Sequence, residues 1–567
     1  MDNRNHNIYF HTHTVSGIII CAVLYVMFFA GSFAFFKDDL TAWQKNASFT
    51  VNREVVQRDY NRVFDSLSQH HKLLGRDFEL AIQRHGMSAY ITMTPSNDST
   101  LIAKPKKNSE DTQRRSRGRR GGNDDSAFFN YDFAGKKDVE YRAGYDIGEF
   151  LYRLHFLAQL NSVPIRLGIP FGYLLAGIIS FIFLFALITG LMLHWNKIVS
   201  NFFTFRPWAK WKTVWTDLHT ALGVIQFPFQ FIFAVTGIVL IANIFLIGPY
   251  AKFLYKGNDQ ELLKALAYSD TSKFEYSYKP LERSFDLNAF VGSLEEKFNG
   301  EDISRLMIRN YGDENMHIIV DSKPVSSASF SGSGKIIYRV SDEKVLHETS
   351  ATTHSSYIDK VKALVYHLHF GDFGGRPLRV MYFILGILGC VVILSGIMIW
   401  LVARDKNNIP KHKRVFNFWT ANIFLATCLS MLPVTAFTMI VLLFLDNPGQ
   451  AEIYNWYFYS WLALGAYFIV RRNLALTNLQ STALSVITCL MLPLCDGIVR
   501  GNWLWVTFAR GEYDILFIDL LFLSLSLVSA FGYSKLKKRE SIQIGATASP
   551  NGAGSDNPRS KKLSIKL

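Results

Sequence analysis

The stretch DLHTALG, residues 217–223, places a histidine four residues before a glycine at the start of a long apolar run. A similar stretch lies near the N-terminus, THTVSG at residues 12–17, in which His13 precedes Gly17 by the same interval and again opens an apolar run. Histidine beside a membrane segment indicates function and calls for a partner. The repetition raises two questions: what architecture it belongs to, and what ligand two such histidines could hold.

Composition places the chain among membrane proteins. Hydrophobic residues make up 49% of its 567 residues, aromatic residues 14% and charged residues only 19%. The apolar residues gather in runs long enough to cross a bilayer, which takes about 20 residues of helix. The first run lacks a small-residue cleavage site after it and is too long for a signal-peptide core, so we interpret it as a retained anchor. We predict eight membrane-spanning helices, at 14–36, 168–195, 219–247, 377–403, 415–445, 455–470, 474–498 and 513–534.

Basic residues concentrate in alternate short loops, which are expected to face the cytoplasm. The loop at 446–453, DNPGQAEI, lacks basic residues and is expected on the opposite side. This pattern predicts that both termini are cytoplasmic. The residues that set the orientation are Lys197, Arg206, Lys210 and Lys212; Arg404, Lys406, Lys411, Lys413 and Arg414; Arg471 and Arg472; and Lys535, Lys537, Lys538 and Arg539.

The basic and cysteine residues argue against a nucleic-acid-binding protein, a disulfide-linked domain and a Cys-x-x-Cys metal site. The basic stretch KPKKNSEDTQRRSRGRRGG, residues 104–122, has the composition of a disordered loop and is expected outside the cytoplasm. A solvated flexible loop explains it better than the attraction of an anionic ligand or lipid, and nucleic-acid binding has little weight because the loop should lie outside the cytoplasm. Every cysteine falls inside a predicted membrane helix, so neither a disulfide framework nor a Cys-x-x-Cys metal site is available. They are Cys21, Cys390, Cys428, Cys489 and Cys495.

Two large polar segments, 37–150 and 248–365, each lie between two membrane runs. In the second, residues 304–322 and 334–349 alternate apolar and polar side chains as half-buried strands do. The stretch LEEKFNG at 294–300 looks like the end of an amphipathic helix. We therefore predict small α+β domains outside the membrane.

The spacing of a second glycine supports an internal repeat. Gly31 follows His13 by 18 residues, and Gly237 follows His219 by 18 residues. That interval is five helical turns, so each histidine and its glycine share one helix face, about 27 Å apart. A small residue there lets a bulky group approach the backbone. Matching motifs in helices two and four are TGLMLHW (189–195) and SGIMIW (395–400), preceded by LYRLHFL (151–157) and VYHLHFG (365–371).

The histidines of the repeat are expected in two layers. His13 and His219 lie at the cytoplasmic ends of helices one and three, and His155 and His369 at the outer ends of helices two and four. A single histidine at a helix end is usually an interfacial residue with one wet side. Two related layers of two favour a shared ligand instead. Three neighbours could replace one of the four: His11, His194 and His367.

Haem suits this arrangement better than zinc. Zinc sites usually have four ligands that include cysteine or carboxylate, and no HExxH motif or acidic cluster accompanies these histidines. Haem iron needs one or two axial ligands, which facing side chains of a four-helix bundle supply. Two bis-histidine haems, one per leaflet, would form an electron path across about 30 Å of hydrocarbon. Candidate cations for the haem propionates are Arg153, Arg376, Arg379, Lys210 and Lys212. Asp217 is too close to His219 in sequence to be assigned as the hydrogen-bond partner of its second ring nitrogen.

The motifs HTVSG, TGLMLHW, DLHTALG, LHFGDFGG and SGIMIW, in this order, resemble the PepSY-associated transmembrane helix proteins. That family, also called iron-regulated membrane proteins, includes bacterial ferric-siderophore reductases. The resemblance covers about residues 8–405, and both polar segments resemble PepSY-type domains. It implies a bacterial inner-membrane oxidoreductase with two b-type haems, which reduces a ferric siderophore or other iron chelate in the periplasm and so releases iron. It implies haem ligands first at His219 and His369, then at His13 and His155, and His194 leaves the cytoplasmic pairing open.

The predicted fold is thus an all-α polytopic membrane protein with a haem-binding four-helix core and two small α+β PepSY-like periplasmic domains. No nicotinamide or flavin module is visible, so the electron donor would be a quinol, a cytoplasmic reductase or a diffusible reductant. No catalytic residue is identified. The predicted units are 1–36, the N-terminus and helix one; 37–150, the first PepSY-like domain; 151–247, helices two and three; 248–365, the second PepSY-like domain; 366–404, helix four; 405–534, an appended four-helix bundle; and 535–567, a disordered basic cytoplasmic tail.

Two other functions stay open. The PepSY-like domains could bind a partner or restrain a protease while the helices merely anchor them, and the four histidines could then be replaced without loss of any cofactor. A transporter of iron chelates is the third hypothesis. It is weaker, because the sequence has few of the buried charges and broken half-helices expected at a midplane transport site.

Overall fold

The computed structural model describes residues 2–52, 57–100, 126–165, 169–258, 261–262, 274–298, 301–324, 332–352, 356–406 and 408–547. The predicted basic stretch 104–122 and the end of the predicted tail, residues 548–567, lie outside these ranges.

Helices and strands alternate in blocks along the chain. The helices are α1 (Asn3–Ala34), α2 (Lys37–Lys45), α3 (Phe49–Asn52), α4 (Tyr60–Ser68), α5 (Ile147–His155), α6 (Phe171–His194), α7 (Ile198–Phe202), α8 (Trp211–Leu254), α9 (Leu287–Lys297), α10 (Tyr357–Phe370), α11 (Gly375–Arg404), α12 (Lys411–Leu429), α13 (Met431–Leu442), α14 (Gln450–Arg471), α15 (Leu474–Arg500), α16 (Leu504–Ala509) and α17 (Tyr513–Thr547). The strands are β1 (Phe78–Ile82), β2 (Ser88–Met93), β3 (Ala127–Asp132), β4 (Lys137–Glu140), β5 (Glu301–Arg309), β6 (His317–Pro324), β7 (Gly334–Arg339) and β8 (Lys344–Thr349).

Seven helical segments among the described residues are long and apolar enough to cross a membrane, which makes the chain a multi-pass membrane protein. The sequence predicts eight, one more than these seven. The sixth predicted run, 455–470, does form a helix, α14, but this 22-residue helix is not among the seven. Its tyrosines, tryptophans and polar first turn lower its hydropathy, although its length of about 33 Å suffices to span a bilayer. The seven spans are Asn3–Ala34, Phe171–Ser200, Trp211–Ile241, Asp372–Arg404, Lys411–Leu442, Leu474–Arg500 and Tyr513–Lys538.

Four of the membrane helices form a closed ring. α1 packs against α6 and α11, and α8 packs against the same two helices. This is the four-helix arrangement that the repeat predicts, with α1 equivalent to α8 and α6 to α11. Because α1 and α8 begin at Asn3 and Trp211, His13 and His219 lie in the third turn of their helices. Both histidines therefore lie near the N-terminal ends of their helices, and the polar residues that precede them continue each helix.

The two polar segments build one antiparallel sheet instead of two separate domains. Its strand order is β4-β3-β2-β1-β5-β6-β7-β8, and the segments meet where β1 pairs with β5, with Leu80 opposite Leu306. Buried hydrophobic residues of both halves form a single core beneath this sheet. The strands predicted at 304–322 and 334–349 are present as β5–β6 and β7–β8. Alternation of side chains predicts strands but not the edge at which two halves join.

Each half of the sheet has a helix with the same N-terminal capping pattern, DYN at 59–61 in the first half and DLN at 286–288 in the second. Asp59 accepts a backbone N–H at the start of α4, and Asp286 does the same for α9. The asparagines cross between the halves: Asn288 Nδ2 donates to Asp59 at 2.8 Å, and Asn61 Nδ2 donates to Asp286 at 2.8 Å. The first turns of the two helices are thus tied together by reciprocal hydrogen bonds.

The appended helices pack onto the rest of the membrane part. α12 contacts α1 and α11, and α17 contacts α2. Buried residues of α1 and of the appended helices belong to one hydrophobic core. α17 continues to Thr547, so the start of the predicted disordered tail is helical. All five cysteines are buried and free, as expected of packing residues.

Candidate functional site

The predicted inner-layer histidines, His13 on α1 and His219 on α8, face each other. Their ring centroids lie 6.0 Å apart. Nδ1 of His13 hydrogen-bonds to the carbonyl oxygen of Ala186 on α6, and Nδ1 of His219 to that of Val392 on α11, both at 2.9 Å. Each bond joins residues 173 positions apart, so the internal repeat extends to the hydrogen bonds. We call these two residues the far-side pair, because they lie at the end of the ring away from the sheet.

The predicted outer-layer histidines form an equivalent sheet-side pair. His155 ends α5 and His369 lies in the last turn of α10, and their ring centroids are also 6.0 Å apart. Nδ1 of His155 bonds to the carbonyl oxygen of Met27 at 2.7 Å. Nδ1 of His369 bonds to the hydroxyl oxygen of Thr236 at 2.9 Å. The Thr236 hydroxyl donates its own proton to the carbonyl of Ile232, so it accepts from His369.

These bonds fix the protonation of all four rings. A carbonyl oxygen only accepts hydrogen bonds, so the Nδ1 atom that contacts it carries the proton. A neutral imidazole with its proton on Nδ1 keeps a lone pair on Nε2, the form in which histidine binds metals. A backbone carbonyl on the other nitrogen is the usual support of a metal-binding histidine, because it sets the tautomer and the ring orientation. Each pair therefore offers two neutral, oriented Nε2 atoms.

The environment of the sheet-side pair keeps it neutral. Removal from water lowers the pKa of His155 below its usual range, against the opposing effect of its bond to Met27. Removal from water, and then the neighbouring His155, lower the pKa of His369 to about 3. Both rings are therefore unprotonated on Nε2 at neutral pH.

Each histidine lies against a glycine of another helix. A Cβ atom added at Gly31 would lie 2.4 Å from Nδ1 of His155, and one at Gly237 would lie 3.6 Å from Cε1 of His369. The glycines found 18 residues after His13 and His219 thus serve the histidines of the other layer. A close-contact glycine also faces each far-side ring: an added Cβ would be 2.9 Å from His13 at Gly190 and 3.0 Å from His219 at Gly396.

Space lies beside both pairs. The sheet-side pair lines a cavity of about 380 Å³ between α1, α6, α8 and α10, within the usual size range of small-molecule sites. Gly17 and Gly223, one turn from the far-side histidines, would each accept a Cβ that meets no atom of the described residues within 4 Å. Aromatic side chains dominate the cavity wall, among them Phe28, Phe35, Phe156, Phe183 and Phe233.

The three histidines that could replace one of the four differ from the paired histidines in their contacts. His11 is exposed and contacts the ring of Phe10. Nδ1 of His367 bonds to the carboxylate of Asp372 at 2.5 Å. His194 interacts electrostatically with both His13 and His219, so it lies near the far-side pair.

The predicted propionate cations on the sheet side differ in their partners. Arg153 pairs with Glu149 at 2.5 Å, and Arg376 pairs with Asp39 at 2.9 Å. The Nε atom of Arg379 is buried and has no hydrogen-bond partner in the described part of the chain. Arg379 is thus the one of these three arginines with a buried donor that lacks a partner in the described residues.

At the far side, Lys210 and Lys212 are exposed at the start of α8. Asp217 is hydrogen-bonded three times to Arg206, through the backbone N–H and the guanidinium, at 2.8 to 3.0 Å. It therefore orders the loop before α8 and is not the partner of His219, whose Nδ1 bonds to Val392.

Sequence reasoning missed the carbonyl acceptors and the roles of Gly190 and Gly396. A signal for the glycines was present, because the TG of TGLMLHW and the SG of SGIMIW supply them. In three of the four contacts the accepting carbonyl lies four residues before the glycine, so one helical turn provides both the acceptor and the space for the ring.

Within the described residues, no group of three or more His, Cys, Asp or Glu side chains is arranged to hold a metal ion. The fold and the site define a multi-pass membrane protein with two pairs of neutral imidazoles, one near each end of a four-helix ring. Comparison with protein families matches residues 10–403 to the PepSY-associated TM region. The chain therefore belongs to this family. A search of curated proteins gives no match.

Proposed function

We propose that this protein is a dihaem membrane oxidoreductase that carries electrons across the bacterial inner membrane to a ferric chelate on the sheet side. The observation that supports the proposal best is the paired geometry of the histidines. Two pairs with the same 6.0 Å separation, each ring held through Nδ1 and each facing a glycine, have no structural need in a bundle that only anchors a sheet.

The residues present suit a haem. Metal–imidazole bonds are about 2 Å long, so two rings 6.0 Å apart are close enough to bind one metal atom between them. His13 and His219 would hold one haem, and His155 and His369 the other. The apolar cavity at the sheet-side pair and the open space at Gly17 and Gly223 provide room. Among the sheet-side arginines that would meet a propionate, Arg379 has a buried Nε without a partner in the described residues.

Bound haem supplies one-electron redox chemistry whose potential depends on its axial ligands and on burial. The chain's own residues prepare that chemistry. The carbonyls of Ala186, Val392 and Met27 keep the imidazoles in the tautomer that leaves Nε2 free. The phenylalanines of the cavity wall exclude water, and the ring of four helices sets the separation between the pairs.

The two pairs would lie near opposite faces of the hydrocarbon core. His219 and the glycine that faces His369 lie 18 residues apart on α8, about 27 Å along the helix axis. This distance nearly matches the roughly 30 Å hydrocarbon core. One electron converts one ferric ion to ferrous iron, and hard oxygen ligands hold ferrous iron less firmly. The electron donor on the far side is a quinol or a cytoplasmic reductase.

An assay of electron transfer across the membrane of proteoliposomes tests the proposal. Vesicles that enclose dithionite and carry the purified protein are mixed with an external ferric siderophore and a ferrous-iron indicator. We expect external reduction with the wild-type protein and its loss in His219→Ala and in His369→Ala. His11→Ala and His367→Ala are matched controls that should retain it. Wild-type vesicles that reduce no more chelate than either ligand variant would favour the alternative, a PepSY-type binding or protease-regulating protein without redox activity.

A further inference from the structure

Ionisable side chains are buried where the appended helices α15 and α17 meet α2. Asp496 of α15 and Asp519 of α17 are each 0% exposed, and the Arg500 side chain is 16% exposed. Asp519 interacts electrostatically with both of the others. A buried charge in a membrane protein needs compensation and indicates function, yet none of these three residues contacts the histidine sites.

The single arginine of the group is engaged mainly by backbone. Arg500 donates to the carbonyl oxygens of Trp43 at 2.7 Å and Gln44 at 2.9 Å, at the C-terminal end of α2. It reaches Asp496 only at 3.5 Å. Asp496 also accepts a hydrogen bond from Asn502 at 3.1 Å. Both oxygens of Asp496 therefore have donors, which favours its ionised form.

Asp519 has a different environment. Its Oδ1 accepts a hydrogen bond from the indole Nε1 of Trp43 at 3.1 Å. Its Oδ2 is buried and has no hydrogen-bond partner among the residues that the structure describes. In the described part of the chain no cation is ion-paired with Asp519. An unpaired carboxylate buried in this way is strongly unfavourable, and such a group usually neutralises by binding a proton.

The other acidic groups near Asp519 have partners of their own. Asp39 of α2 pairs with Arg376 of α11 at 2.9 Å, and the guanidinium of Arg376 lies 5.9 Å from the Phe517 ring. Asp514 of α17 accepts from the Ser48 hydroxyl and the backbone N–H groups of Phe49 and Thr50. Glu512 lies 3.9 Å from Arg510. The local balance is thus Asp496 and Asp519 against Arg500 alone, which leaves one negative charge.

We propose that Asp519 is a proton-binding site of the appended bundle, with a proton on Oδ2 at neutral pH while Asp496 stays ionised. The proton removes the uncompensated charge without breaking the bond from Trp43. α2 directly follows α1, the helix that provides Met27 and Gly31 to the sheet-side pair. Protonation of Asp519 is therefore part of what holds the appended bundle against the segment that leads into the redox core.

Infrared spectroscopy of the purified full-length protein tests the proposal, because a protonated carboxyl group has a C=O stretch distinct from that of a carboxylate. We expect a protonated-carboxyl band at neutral pH that shifts in D₂O and disappears in Asp519→Asn. This substitution keeps an oxygen that can accept from Trp43 and resembles the neutral acid, so unchanged tryptophan fluorescence will show that the helices still pack. Asp446→Asn, in an exposed loop, is the control and should leave the band unchanged.

Two results would overturn the proposal. One is a wild-type spectrum without the band at neutral pH, and the other is a band that survives in Asp519→Asn. A band that disappears in Asp496→Asn but not in Asp519→Asn would assign the proton to Asp496 and would equally refute it. The measurement needs no haem and no electron transfer, so its outcome is independent of the proposed reductase activity.

Discussion

Substitution of Gly31 by alanine should damage the sheet-side pair and leave the far-side pair intact. The new Cβ would lie 2.4 Å from Nδ1 and 2.7 Å from Cε1 of His155, whereas ordinary contacts begin at 3.4 Å. The ring must move by about 1 Å, and the crowding costs about 1–3 kcal/mol. The movement also breaks the bond from His155 to Met27 and leaves a buried donor unpaired, which costs about 1–3 kcal/mol more.

The higher helix propensity of alanine returns up to about 1 kcal/mol. The net loss is then about 3 kcal/mol, or roughly a hundredfold weaker binding of any ligand that needs His155 in place, at 1.4 kcal/mol per factor of ten. The assay is haem content per chain together with the redox titration of what remains. We expect Gly31→Ala to lose one of two haems.

Gly237→Ala is the matched control for this prediction. It lies on the equivalent face of α8, but its added Cβ would meet His369 at an ordinary 3.6 Å. We expect this variant to keep both haems. Equal damage from the two substitutions, or no damage from Gly31→Ala, would refute the argument that close packing at Gly31 positions His155.

Three further predictions concern stability and access. Burial alone would raise the pKa of Glu149, but the charges of Lys37 and Arg153 more than offset this and lower it from 4.5 to about 2. A depressed carboxyl pKa adds stability, about 3 kcal/mol here, that is present above pH 4.5 and lost as the pH falls towards 2. Glu149→Gln should therefore be less stable than the wild type at pH 7, and the difference in thermal unfolding should shrink below pH 4.5. Asn288→Ala removes the bonds to Asp59 and to the Tyr60 N–H, so its unfolding free energy should fall by about 1–2 kcal/mol, and an unchanged melting temperature would contradict the paired caps. The five buried cysteines should react with a maleimide only after denaturation, and rapid labelling of the native protein would contradict their packing role.

Much of the membrane architecture could be predicted from the sequence, because length and hydropathy directly reflect the thickness of the bilayer. The repeat could be predicted as well, since the 18-residue spacing from His13 to Gly31 recurs from His219 to Gly237. The structure shows what the spacing means: each helix carries a histidine of one pair and the glycine that faces the other pair. The sequence predicts which residues share one face of a helix, but it does not predict which neighbouring helix that face packs against.

The joined sheet could not be predicted in the same way. Alternating residues predicted strands in 304–322, but the pairing of β1 with β5 connects residues more than two hundred positions apart. The repeated DYN and DLN caps were a usable signal that two equivalent halves exist. The local role of Asp217 was equally invisible, because its choice of Arg206 over an imidazole depends on the fold of the loop before α8.

The most direct test of the central claim is the haem content of the purified protein, measured with its dithionite-reduced minus oxidised spectrum. The account predicts b-type bands and about two haems per chain, with one lost in His219→Ala and the other lost in His369→Ala. His11→Ala and His367→Ala should retain both. Protein that is produced with ample haem and still contains none would contradict the account and leave the histidine pairs without a redox role.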